Sequence, residues 1–235
     1  MARMAATSAG KFSQILTMKV ALLGAESTGK TRLANELATH WRAQGRDVVH
    51  VQEVLREWCE REGRTPQPHE QKGIAQEQAL RAQATRPDQW LVADTTPLMT
   101  AIYSDMLFGD ASLFAFALQH QQQYDMTLVT GLDIPWVADG LQRDGPHVRE
   151  PVDGMLRAAL TRGGIHFQVV YGTGAARLEK ALSAINATNS VANHARSMGA
   201  SDSFSFKSQS NWRWPCDKCS DPDCEHTMFT QLLRK

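Results

Sequence analysis

The sequence predicts an α/β fold: a mostly parallel sheet covered by helices on both faces. Three observations carry this expectation. Short apolar, β-like runs alternate with helix-compatible segments along most of the chain. A glycine-marked turn, GAESTGKT, stands between the first such run and the first helix. The 235 residues are 42% hydrophobic, which suffices for one well-packed domain with appendages and leaves two full domains cramped.

The strands are expected at 19–23, 47–52, 90–94, 126–130 and 167–171, each a brief β-branched or apolar run. Helices are expected at 31–41, 70–84, 97–108, 152–161 and 175–185, the third opened by Pro97, which suits a first helical position. In such a sheet, ligands gather at the carboxyl ends of the strands. From 186 the composition shifts to Ser, Asn and Ala with little apolar periodicity, which reads as a linker. The expected organisation is a flexible extension at 1–18, the α/β domain at 19–185, a linker at 186–211 and a compact Cys-rich tail at 212–235. Residues 1–18 contain basic and small residues and no acid, without the continuous apolar centre of a secretory signal. A disordered extension before an internal start at Met18 is the simplest reading, and an organellar transit peptide the alternative.

Lysine plus arginine and aspartate plus glutamate both number 25, so no global field favours nucleic acid or an anionic membrane. No apolar run approaches the roughly 18 residues of a membrane span. A small-molecule substrate fits this balance better. Of four cysteines, three lie in the last twenty residues, a distribution that points to metal binding in a reducing compartment, and the cytoplasm is the expected location.

GAESTGKT has the spacing of the P-loop, Gly24, four residues, then Gly29-Lys30-Thr31, between a strand and a helix. Gly24 and Gly29 allow backbone approaches that a Cβ would obstruct, so the amides of Gly24, Ala25, Glu26, Ser27, Thr28, Gly29, Lys30 and Thr31 can turn inward around phosphate oxygens. Lys30 would reach the β- and γ-phosphates of ATP, and the Thr31 hydroxyl would ligate Mg²⁺. The helix start adds the positive end of its dipole.

Other residues fall at strand ends. Glu53, after the second strand, would accept a hydroxyl proton from an alcohol, with Arg56 or Glu57 fixing the substrate; a surface helix start with ordinary ion pairing is the equal alternative. Asp94 ends the third strand and is the expected Mg²⁺-supporting acid, with an N-cap role or Asp133 as the alternatives. The segment 133–153 is marked by glycine and proline and carries Arg143 and Arg149, which as a lid would stabilise charge on a transferred phosphoryl group. Otherwise it is a solvated loop with Arg143 and Arg149 paired to Asp144 and Glu150. Trp90, Tyr103 and Trp136 are candidates to stack on a base, though isolated aromatics are more often core. Gly172 to Arg177 follows the fifth strand and would lie beside a purine or form a plain turn.

In the tail, Cys216, Cys219, Cys224 and His226 form a C-x2-C-x4-C-x-H set suited to a structural, tetrahedral Zn²⁺. Charges there nearly balance, Arg213, Lys218, Arg234 and Lys235 against Asp217, Asp221, Asp223 and Glu225, so a DNA-reading role lacks its electrostatic footprint. A protein partner docking on the tail is the expectation it leaves open.

Taken in order, GAESTGKT, Glu53 with Arg56-Glu57, DTTPLMTAIYSD at 94–105 and YDMTLVTGLDIPWVADGLQRDGPHVR at 124–149 resemble the ribosylnicotinamide kinase domain of the NadR family. The resemblance extends through VVYGTGAARLEKAL. It implies a P-loop NTPase fold and an ATP- and Mg²⁺-dependent kinase that phosphorylates the ribose 5′-hydroxyl of nicotinamide riboside, giving nicotinamide mononucleotide for NAD synthesis. By position it implies residues 24–31 as the phosphate loop, Asp94 as the acid after the third strand, and Arg143 with Arg149 as lid arginines; Glu53 as base follows from kinase architecture. The chain departs from multifunctional relatives in lacking room for an adenylyltransferase half and a DNA-binding segment, and in adding the tail. The rival expectations are a nucleotide-switched ATPase module that binds a protein through the tail, and a kinase of another nucleoside. An Asn-Lys-x-Asp guanine-reading motif is absent, which disfavours a GTPase switch.

Overall fold

Five parallel strands run through the centre of the chain: β1 (Lys19–Leu23), β2 (Val48–Val51), β3 (Trp90–Asp94), β4 (Met126–Thr130) and β5 (Phe167–Val170), in the spatial order β2-β3-β1-β4-β5. The computed structural model describes residues 17–137 and 145–197, with backbone alone over 189–197. Because β1 is flanked by β3 on one side and β4 on the other, chain crossovers leave it in opposite directions. A crevice opens above its carboxyl end, the position where doubly wound sheets hold ligands.

The helices are α1 (Lys30–Ala43), α2 (Val54–Glu62), α3 (Pro68–Gln83), α4 (Pro97–Phe108), α5 (Phe114–Gln121), α6 (Arg149–Arg162) and α7 (Gly174–Ser197). Alternation along each strand divides the core in two. Val20, Leu22, Val92 and Leu128 face α1 and α7, meeting Leu33, Leu37, Trp41 and Ile185. Leu23 and Val129 face the other way, against Leu98 and Ile102 of α4 and Leu156 and Leu160 of α6. β1, β3 and β4 are buried at nearly every position, as central parallel strands are, which is why they read as continuous apolar runs. Truncating Leu22, fully buried in the middle of β1, to alanine would cost about 2–5 kcal/mol.

Local signals set the helix ends. The Thr96 hydroxyl accepts from the Leu98 amide at 3.3 Å, Pro97 occupies the first turn, and Gly109 closes α4 at φ 66°. At α3, Gln67 and Glu70 form a capping box ahead of Pro68.

Several elements differ from expectation. Helix α7 continues twelve residues beyond Ile185 to Ser197, through the stretch assigned to a linker from 186. Its alanines are strong helix formers even though the apolar period fades. Met18 is 1% exposed in the core and its carbonyl accepts from the Leu91 amide at 2.9 Å, so it belongs to the domain and not to the extension. Two helices, α2 and α5, stand where the sequence reading has no element. Residues 1–16, 138–144 and 198–235 lie outside the described residues, among them Arg143 and the Cys216, Cys219, Cys224 and His226 set. Among the described residues no helix is long and apolar enough to cross a membrane.

Candidate active site

The turn out of β1 is built around two glycines that other residues could not replace. Gly24 has φ 147°, and a Cβ there would overlap Thr130 Oγ1 and lie 3.1 Å from the Thr130 carbonyl oxygen, so the loop passes directly over the end of β4. Gly29 has φ 75° and caps α1; a Cβ there would lie 2.9 Å from Arg177 Nη1. Ser27 between them is also left-handed, at φ 56°, strain of the kind that clusters at functional loops. Buried hydroxyls hold the turn from below. Thr28 Oγ1 donates to the Ala25 carbonyl at 2.7 Å and shares a 2.6 Å hydrogen bond with Thr130 Oγ1, which also lies 3.2 Å from the Leu23 carbonyl. From behind, Arg177 donates to the Thr28 carbonyl at 2.7 Å.

Lys30, 8% exposed, curls over this turn and donates to the carbonyls of Gly24 at 3.0 Å and Ala25 at 2.9 Å. Burial pushes its ammonium below the usual lysine range, opposed by the carboxylates of Glu53, Asp94 and Glu26, while Arg56 adds to the lowering. Four groups are thus arrayed around one ammonium, three of them acids from different elements.

Glu53 precedes α2 and pairs with Arg56 at 3.0 Å, and Arg56 donates to Thr31 Oγ1 at 3.2 Å. The chain from Glu53 through Arg56 to Thr31 brings the end of β2 to the start of α1. Glu57 turns away, accepting from Arg81. Asp94 ends β3 directly beside Leu22 of β1 and is 1% exposed. Its Oδ1 has no hydrogen-bond partner among the described residues. A buried, open carboxylate oxygen on the α1 side of the sheet is the donor a hard cation takes, and with the Thr31 hydroxyl it fits Mg²⁺. Thr95 follows it in a left-handed conformation, φ 69°, its amide donating to the Leu22 carbonyl. The rival acid Asp133 is exposed and accepts from the Gly172 amide at 2.6 Å, tying the exit of β4 to the turn after β5.

A cleft of about 240 Å³ adjoins the loop, lined by Ser27, Gly29, Ile134, Pro135, Gly174 and Arg177 among others. The stretch Gly172 to Arg177 therefore does border the P-loop, beside the segment leaving β4. The Ser27 hydroxyl accepts from the Val137 amide at 2.8 Å, joining the loop to the start of the Arg143 segment. Arg149 is the first residue of α6, 7% exposed, and donates to the Leu132 carbonyl at 3.2 Å. It is a buried helix residue and not part of an exposed loop.

Of the aromatics, Trp90 is core, packed against Trp41 with ring centroids 4.8 Å apart and planes tilted by 60°, and Tyr103 packs into the α4–α6 cluster; Trp136 is half-buried beside the cleft-lining Pro135. Cys59, the free cysteine among the described residues, is buried, and burial with the Glu53 charge pushes its thiol up to about 11, which rules it out as a nucleophile at neutral pH. Among the described residues no group of three or more His, Cys, Asp or Glu side chains can hold a metal ion.

Two functional contacts escaped the sequence reading. Thr130 carries no sequence signal beyond ending a strand. Gln78 does: it is a glutamine on the buried stripe of α3, among Ala75, Ala79 and Ala82, a polar residue where packing alone calls for an apolar one.

Solved structures that share the fold include the following three. NadR protein in complex with NR matches at 18% identity and TM-score 0.59, covering 75% of this chain and 52% of that one, so the chain spans about half the length of NadR. Thymidylate kinase from Ehrlichia chaffeensis matches at 12% identity and TM-score 0.52, covering 72% and 98%. Deoxyadenosine kinase from M. mycoides matches at 13% identity and TM-score 0.52, covering 72% and 100%. Comparison with curated protein sequences returned no match. A family model described as an AAA domain matches residues 19–177, from the first residue of β1 to the arginine that braces the P-loop, and the chain belongs to that family.

Proposed function

We propose that the protein is an ATP- and Mg²⁺-dependent kinase of a nucleoside-like acceptor, and that the acceptor is nicotinamide riboside, phosphorylated on its ribose 5′-hydroxyl to nicotinamide mononucleotide. The observation that carries the reading is the Glu53–Arg56–Thr31 chain, which sets a carboxylate at the mouth of a P-loop within electrostatic reach of Lys30, on which Asp94 also acts. A carboxylate there can take a proton from an alcohol or from water, and the acceptor screen below tells the two apart. The acceptor assignment draws on the sequence resemblance above and on the likeness to NadR, whose structure holds NR.

In this reading the amides of residues 24–31 hold the phosphates, and Lys30 exchanges its two loop carbonyls for phosphate oxygens. Glu53 takes the proton of the acceptor hydroxyl as its oxygen bonds to the γ-phosphorus and the bond to the β-phosphate oxygen breaks, leaving ADP. Thr31 and Asp94 would hold Mg²⁺, which supplies charge neutralisation on the phosphates. Arg143, which lies outside the described residues, would serve the transferred group, Arg149 steadies the exit of β4 through the Leu132 carbonyl, and the cleft by Pro135 and Gly174 takes the base of ATP.

A second reading, an ATPase switch, is favoured by the Ser27 to Val137 hydrogen bond, which couples the loop to the segment beyond it. A steady-state screen of ATP consumption against nucleosides, with products identified by mass, separates the two. Acceptor-dependent consumption with nicotinamide mononucleotide as product is expected. Equal or better use of adenosine or uridine moves the acceptor assignment to another nucleoside, and acceptor-independent hydrolysis alone favours the switch.

A further inference from the structure

Glu53 occupies the N-cap of α2 (φ −69°, ψ 108°) but makes no side-chain capping hydrogen bond. Glutamate is not among the residues that ordinarily cap a helix from this position, so its carboxylate is left for other partners. Here the Glu53 carboxylate meets Arg56 at 3.0 Å, and a residue from another helix attends to the backbone. Gln78 of α3 is 2% exposed. Its Oε1 accepts from the Val54 amide at 2.8 Å and its Nε2 donates to the Gln52 carbonyl at 3.2 Å. These two backbone groups belong to the residues immediately before and after Glu53.

We propose that Gln78 is a positioning residue: one planar side-chain amide grips both neighbours of Glu53 and so holds its carboxylate toward Arg56 and the P-loop. The inference rests on the kinase reading, in which Glu53 receives the acceptor proton. The bond to Val54 is buried and the bond to Gln52 partly so, which keeps water from replacing the first at equal strength, and the amide can satisfy a donor and an acceptor at once because it carries one of each. Neither glutamate nor leucine can do both. Gln78 shares the inward stripe of α3 with Gln71, Ile74, Ala75, Ala79 and Ala82, so the packing of that face holds its amide against the turn.

The test is a double-mutant cycle on turnover with Glu53→Gln, Gln78→Leu and the pair, alongside ATP affinity and amide exchange at Val54. Gln78→Leu should lower turnover about 10- to 100-fold, the scale on which a misplacement of ~1 Å acts, with ATP affinity within about twofold since no phosphate-binding group moves. In the Glu53→Gln background the same change should have little further effect, because the carboxylate it positions is already gone. Val54 should exchange slowly in the wild type and rapidly in Gln78→Leu. Multiplicative losses in the cycle, or equal loss of ATP binding, would overturn the proposal, as would Val54 exchange indifferent to Gln78. Gln78→Glu keeps an acceptor for Val54 and removes the donor to Gln52; it serves where the leucine variant does not fold and should show the same dependence on Glu53. A wild type that phosphorylates no nucleoside sinks the kinase reading and this role with it, but it leaves Val54 protection intact, so the two failures are told apart.

Discussion

Replacing Gly24 with alanine tests the geometry of the phosphate loop more directly than any catalytic substitution. The new methyl would overlap Thr130 Oγ1 and approach the Thr130 carbonyl oxygen to 3.1 Å, and the residue would have to hold φ 147°. Holding a non-glycine residue in so sparse a region costs about 1–3 kcal/mol. Pushing against a packed neighbour costs a further ~1–3 kcal/mol. Thr130 can yield only by giving up its 2.6 Å bond to Thr28 and its approach to the Leu23 carbonyl, both buried. A loss of about 3 kcal/mol is the central expectation, corresponding to a fall in Tm of about 6–12 °C for a domain of this size. Thermal and urea unfolding measure it, with ATP affinity followed in parallel. Thr130→Ala removes the overlapping oxygen, so the double variant should recover the packing part of the loss and keep the φ part. A Gly24→Ala protein within about 0.5 kcal/mol of wild type would refute the close approach of loop and strand.

Lys30→Ala should nearly abolish phosphoryl transfer while the domain stays folded; transfer at the wild-type rate refutes the role of Lys30. Because burial lowers the Lys30 pKa, the unfolded chain binds a proton that the folded chain tends to lose between the lowered value and 10.5. Wild-type stability relative to Lys30→Met should therefore improve as the pH rises through that window, and a flat difference in unfolding free energy counts against it. Asp94→Asn should shift the Mg²⁺ dependence of turnover to higher concentration with little loss of stability, since its Oδ1 holds no partner among the described residues; an unshifted Mg²⁺ titration points to another acid. Arg143→Ala and Arg149→Ala should each lower turnover, at least one by more than about 10-fold. The Arg149 change should also destabilise, by about 1–3 kcal/mol, through the lost bond to the Leu132 carbonyl, and near-normal rates in both would reduce them to structural residues. Elemental analysis of protein purified under reducing, metal-replete conditions should find one Zn²⁺ per chain, lost in a Cys216→Ser/Cys219→Ser variant; zinc-free wild type would end the tail-site reading.

What the sequence determined by itself was local. β1, β3 and β4 were legible to the residue because both faces of a central strand are buried, so the apolar run and the strand coincide. The P-loop was legible because its glycines are required by backbone conformation and close approach, which a spacing records. Helix α4 announced itself through Thr96, Pro97 and Gly109. The end of α7 was not legible, since helix 186–197 lacks the periodic apolar face on which a boundary is judged.

Only the tertiary structure decided which of the candidate acids shares a site. Asp94 and Asp133 are equivalent as strand-end acids, but β3 lies beside β1 with Asp94 level with Leu22, whereas Asp133 is taken up by the Gly172 amide. The strand order that makes this distinction arises from crossovers of twenty or more residues, and no local propensity encodes it. The same holds for Arg177, which braces Thr28 from 149 residues away, and for Gln78, which grips both sides of Glu53 from the next helix. A side chain's partner across such a distance is set by packing of the whole domain, so its chemistry could be read from the sequence and its target could not.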